Sequence, residues 1–120
     1  MNRLRRFTND SALLLRTVLN LQRYLLAIIQ EATATQFLIL ERYGKTEITL
    51  TDLEQLDNVQ QRADTYYSRF NTLLRQIAGS QPLATSATLE LLSRSIEDAQ
   101  STVSALEATI QEIKKDWNLL

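Results

Sequence analysis

The chain has 120 residues, with 13 Lys and Arg against 14 Asp and Glu for a net charge of −1, and it contains neither Cys nor His. Those two absences exclude disulfides, thiolate nucleophiles, Ser-His-Asp arrangements and the usual zinc ligand sets. Two glycines and one proline are too few for an all-β domain, which needs turn residues every ~8–12 positions.

Leu, Ala, Gln, Glu, Arg and Thr dominate what remains, and all but Thr are good helix formers. The length suits one domain, able to bury roughly two thirds of its unfolded surface without staples. The expectation is an all-α, elongated three-helix antiparallel bundle with coiled-coil-like packing. No signal-peptide pattern opens the chain, since Phe7-Thr8-Asn9-Asp10 follows Arg3, Arg5 and Arg6. The most apolar stretch, residues 12–40, is interrupted by Arg16 and Arg23, which argues against a transmembrane span. A soluble, cytoplasmic protein is expected.

Charge is spread unevenly. Residues 1–44 hold six arginines against three carboxylates, and residues 80–120 hold three basic against six acidic groups. The basic end can meet an external anion, or the acidic third helix of its own or another copy.

Residues 1–9 read as a basic arm, and the first helix is expected over 10–43. At ~100° per residue, Leu14, Val18, Leu21, Leu25, Ile28, Ile29, Ala32 and Ile39 fall on one side. Leu15, Leu19, Leu26, Phe37 and Leu40 widen that side to about half the circumference. A stripe this wide requires two partners, from the same chain or another. Gly44 is a natural left-handed stop, with Arg42 near the negative end of the helix dipole.

Residues 44–51 read as a short connector, with Lys45–Leu50 extended and Ile48 and Leu50 pointing inward. Thr51-Asp52-Leu53-Glu54 reads as a capping box, stapled by Leu50, and places the second helix over 52–78. Its inner face is Leu53, Leu56, Val59, Ala63, Tyr67, Phe70, Leu74 and Ile77. Gly79 and Pro82 punctuate a connector over 79–85. It is short enough to make the second and third helices antiparallel neighbours.

The third helix, over 86–118, carries the most regular pattern. Leu89, Leu92, Ile96, Ala99, Val103, Leu106, Ile110, Ile113, Trp117 and Leu120 keep an alternating three-and-four spacing, a heptad seam. The seam is narrow, as coiled-coil packing along the wide face of the first helix, or against a copy of itself, demands. Three helices this long make a rod, suited to spacing, clamping or assembly.

For chemistry, only carboxylates remain. Asp52, Glu54, Asp57 and Asp64 on the second helix and Glu97, Asp98, Glu107 and Glu112 on the third avoid the seam positions where a buried pair would sit. No enzyme activity, cofactor, metal or small-molecule substrate is expected. Three features can serve binding. Arg3, Arg5 and Arg6, continued by Arg16 and Arg23 on one face, can contact a phosphate backbone or an anionic membrane surface, or be merely solvated. Arg62, Tyr66 and Arg69 share a face on which bases can stack or a protein can dock. The bland alternative is that Tyr66 widens the core while the arginines snorkel. Trp117 and Leu120 form an apolar end, docked either in the bundle or in a partner.

In size and helical content the chain is similar to the small helical subunits of multi-subunit CRISPR effector complexes. The resemblance is one of outline, and no motif or site residue is carried by it. It implies a bundle that lines nucleic-acid backbone inside a nucleoprotein complex. The two expectations for function are therefore a non-catalytic interaction or scaffold protein, self-associating or a small subunit of a protein assembly, and a nucleic-acid-contacting helical subunit.

Overall fold

The computed structural model describes the backbone of residues 2–80 and 85–120, and side chains from residue 12 onward within those limits. Among the described residues there are three helices and no strand: α1 (Asn2–Tyr43), α2 (Glu47–Ala78) and α3 (Ser86–Asp116). They form a rod about three times as long as it is wide. The expected all-α bundle is the observed fold.

α1 runs unbroken from Asn2, so the segment expected as a basic arm is helical backbone. It ends at Gly44, whose N–H donates to the Leu40 carbonyl at 3.0 Å and whose φ of +74° turns the following chain out of the helix. That left-handed position suits glycine because it has no Cβ to clash with the backbone.

Of the expected extended connector over 45–50, residues 47–50 are instead the first turn of α2. The competing cap is Thr46. Its hydroxyl accepts the Thr49 N–H at 3.2 Å, while the Thr49 hydroxyl accepts the Thr46 N–H at 2.8 Å. Thr49 Oγ1 also donates to the Gly44 carbonyl at 2.9 Å, tying the cap to the end of α1. With its hydroxyl fully used, Thr49 is buried. Ile48, expected inside, is 79% exposed. The box at Thr51–Glu54 goes unused because α2 is already helical there.

α3 starts from the Thr85 cap, whose hydroxyl accepts the Thr88 N–H at 3.1 Å. Its end explains a departure from the heptad. Asn118 has φ +56°, the Asn118 N–H donates to Lys115 and the Leu119 N–H to Lys114. This pair of bonds is a Schellman stop. It turns Leu119 back onto the core and leaves Leu120, expected in the seam, 78% exposed.

Packing follows the predicted faces. Val18, Leu25, Ile28, Ala32 and Ile39 of α1 meet Leu56, Val59, Ala63 and Phe70 of α2 and Leu92, Ala99, Leu106 and Ile110 of α3 in one buried cluster. Each large side chain buried there contributes about 1.5–3 kcal/mol. Polar ties set the directions. Gln22 Nε2 donates to Asn71 Oδ1 at 2.8 Å, and Gln36 Nε2 to Asp57 Oδ1 at 2.8 Å, so α2 runs antiparallel to α1. Thr102 Oγ1 donates to the Tyr66 hydroxyl at 3.3 Å and Trp117 Nε1 to Asp52 Oδ2 at 2.7 Å, so α3 runs antiparallel to α2. Lys114 pairs with Glu31 across the parallel α1 and α3.

Candidate interaction face on the first helix

α2 and α3 cover only part of the wide apolar stripe of α1. Val18, Leu21, Leu25, Ile28 and Ile39 are inside, whereas Leu15, Leu19, Leu26, Phe37 and Leu40 remain 45–64% exposed. The four leucines follow the helical repeat along one edge of the outward face, and Phe37 stands between that edge and its middle. Leu13 and Tyr24, which the sequence pattern did not single out, are exposed along the opposite edge. Between the two edges lie Ala27, Gln30 and Ala34, all solvent-facing. Gln30, Thr33, Ala34, Phe37 and Leu38 line a shallow surface depression. Among the described residues, the charges along this face are Arg16, Arg23 and Glu41, with Arg42 and Glu31 at one edge and Glu31 already held by Lys114. Its chemistry is that of a contact surface with few charges and small residues at its middle.

Among the described residues, the predicted anion contacts lie on two helices, α1 and α2. Arg3, Arg5 and Arg6 have side chains outside the described residues. Arg16 and Arg23 stand exposed on the outer face of α1, seven residues apart. Arg62 and Arg69 are exposed on α2, on another side of the rod. There Tyr66 is half-buried against α3, its hydroxyl accepting from Thr102, and the Arg69 guanidinium lies 5.1 Å from its ring centroid. Arg69 therefore shields a core-edge ring, at the distance of a cation–π contact.

Trp117 holds the three helices together at one end of the rod. Its indole N–H donates to Asp52 of α2, and its ring lies 4.9 Å from that of Tyr43 of α1. The Tyr43 hydroxyl in turn donates to the Trp117 carbonyl at 3.0 Å. The sequence left Trp117 open between core and partner. Its contacts here are intramolecular.

Among the described residues one segment, Ala12–Tyr43, is long and apolar enough to cross a membrane by length and composition alone. In the fold this same segment supplies Gln22, Gln36 and Glu31 to polar contacts with α2 and α3. No cluster of metal-ligating side chains occurs among the described residues. No protein family, curated relative or solved structure matches the chain.

Proposed function

We propose that this chain is a non-catalytic helical interaction protein, self-associating or a small subunit of a larger protein assembly, which docks through the outer face of α1. The observation that carries the reading is the exposed row Leu15, Leu19, Leu26, Phe37 and Leu40. A single exposed leucine is ordinary, but five large apolar side chains left exposed along one side of a single helix mark a contact surface. The setting that suits it is the cytoplasm, with protein rather than lipid covering the row. The test is native size exclusion of a tagged chain from cell lysate, beside the Leu26→Asp, Phe37→Asp double variant. The wild type is expected in an assembly larger than one chain, and the variant at monomer size with unchanged helicity by circular dichroism. A wild type at monomer size, both in lysate and when purified, overturns the reading, as does flotation of the wild type with lipid vesicles.

A second reading is favoured by Arg16 and Arg23, which are exposed on one face and take part in no ion pair among the described residues. A helical subunit contacting nucleic-acid backbone would use them as phosphate contacts. It predicts oligonucleotide binding that falls with salt, with a log–log slope reduced by about 2 in the Arg16→Ala, Arg23→Ala variant. Fluorescence anisotropy across a salt series decides it, and an unchanged slope excludes it.

A further inference from the structure

The docking-face reading leaves open what covers the outer face of α1, and the inference drawn here rests on that reading. We propose that the occupant is the same face of a second copy of this chain, packed antiparallel about a two-fold axis between residues 30 and 34. The midline of the exposed face is Arg23, Ala27, Gln30, Ala34, Phe37 and Glu41. All six are exposed, and they are spaced alternately four and three residues apart. That alternation is the seam of a coiled coil. It is distinct from the seam of Val18, Leu25, Ala32 and Ile39 that α1 spends on its own bundle.

In an antiparallel two-fold pair, each layer sets one seam position against the alternate seam position of the other helix. Placing Arg23 opposite Glu41 of the second copy fixes every other layer. Ala27 then faces Phe37 of the second copy, and Gln30 faces Ala34. The symmetry repeats the same three layers in reverse. One choice of register thus gives opposite charges at both ends and a small residue facing a large one within. It also places Gln30 and its symmetry mate near the axis, where a polar pair can specify register. The flanks agree. Leu26 comes beside Leu40 of the second copy along one edge, and Tyr24 beside Leu38 along the other. Glu31, which meets its own mate near the axis, is already paired with Lys114.

The parallel alternative fails on the same residues. It sets Arg23 on Arg23, Glu41 on Glu41, Phe37 on Phe37 and Ala27 on Ala27, which brings like charges together and alternates crowding with voids. The face is therefore complementary to itself in one direction only. An isologous contact of this kind closes a dimer and does not propagate.

The test is light scattering across a concentration series of the purified full chain, with Arg23→Glu, Glu41→Arg and the double reversal. The wild type is expected as a dimer. Each single reversal, which creates a like-charge contact at both ends, is expected to weaken dimerisation tenfold or more, about 1.4 kcal/mol or above. The double reversal restores the dimer only in the antiparallel arrangement. The chain has no cysteine of its own, so Ala27→Cys and Phe37→Cys read the register directly. Mixed under oxidising conditions they are expected to form a disulfide with each other. Ala27→Cys alone is expected to form none, because its two copies lie about 15 Å apart along the axis, beyond disulfide reach.

A purified wild type that stays monomeric, beside a larger assembly in lysate, overturns the second copy and leaves the docking face standing. A dimer in which Ala27→Cys couples to itself overturns the antiparallel register. A dimer indifferent to Leu26→Asp, Phe37→Asp overturns both readings.

Discussion

Trp117→Phe tests whether the single tryptophan belongs to the bundle or to a partner. The substitution keeps an aromatic ring beside Tyr43 but deletes the indole N–H that donates to Asp52 at 2.7 Å. A hydrogen bond to a charged group contributes about 1.5–3 kcal/mol. Asp52 is only half-buried, so water re-solvates its carboxylate and the lower end applies, about 1.5 kcal/mol. For a domain of this length that corresponds to a fall in Tm of about 5–9 °C. Helix content at 222 nm is the readout, since the variant has no tryptophan fluorescence. All samples are held at one protein concentration, because self-association would add its own stabilisation. Adding Asp52→Ala closes a double-mutant cycle, and a coupling of about 1 kcal/mol is expected. A coupling within about 0.3 kcal/mol of zero refutes the clasp and frees Trp117 for a partner.

Gly44→Ala should cost about 1 kcal/mol, from the φ of +74° alone. A Cβ built there meets nothing within 4 Å, and Gly44→Asn should recover part of the loss in urea denaturation. At the start of α2, Thr49→Val should cost about 1–2 kcal/mol, while Thr51→Ala stays within about 0.5 kcal/mol. The reverse order would return the cap to Thr51. Leu106→Ala should lose about 2–5 kcal/mol by leaving a core cavity. Leu26→Ala, measured where the chain is monomeric, should stay within about 0.5 kcal/mol.

Much of this fold was legible because periodicity is a summed signal. The seam of α3 from Leu92 to Ile113 is buried as its spacing requires, and Val18, Leu25 and Ile39 sit where the α1 pattern places them. Local choices decided by single hydrogen bonds were not legible. Thr46 and Thr51 are both plausible caps, and the difference is the Gly44 carbonyl, which Thr49 reaches only once α1 has ended where it does. Leu120 followed the heptad until Asn118 took a left-handed conformation that asparagine permits but does not announce. The width of the α1 stripe did signal unspent apolar surface. Its small centre was missed because Ala27 and Ala34 count for little in a hydrophobic average, although their spacing with Arg23, Gln30, Phe37 and Glu41 was there to read.

The face that α1 leaves outside is selected by its polar contacts as well as by its apolar ones. Two apolar rows lie on this helix about a third of a turn apart, and burying Leu19, Leu26 and Phe37 would satisfy the hydrophobic effect nearly as well as burying Val18, Leu25 and Ile39. Between the rows stand Gln22, bonded to Asn71, and Gln36, which donates to Leu53 and Asp57 and accepts from Gln60. Rotating α1 to exchange the rows breaks all of these, along with the pairing of Glu31 and Lys114. Polar groups of this type set register more than they add stability. Gln22→Leu, Gln36→Leu should therefore keep or slightly raise Tm while loosening the choice of face. Asn71 and Asp57 retain access to water, so neither is stranded by the change. At a concentration where the chain is monomeric, a reporter cysteine at Leu19 should react freely with a thiol reagent in the parent and be partly protected in the double variant. Equal reactivity in the two, with a single set of amide resonances in each, would mean that apolar packing alone chooses the face.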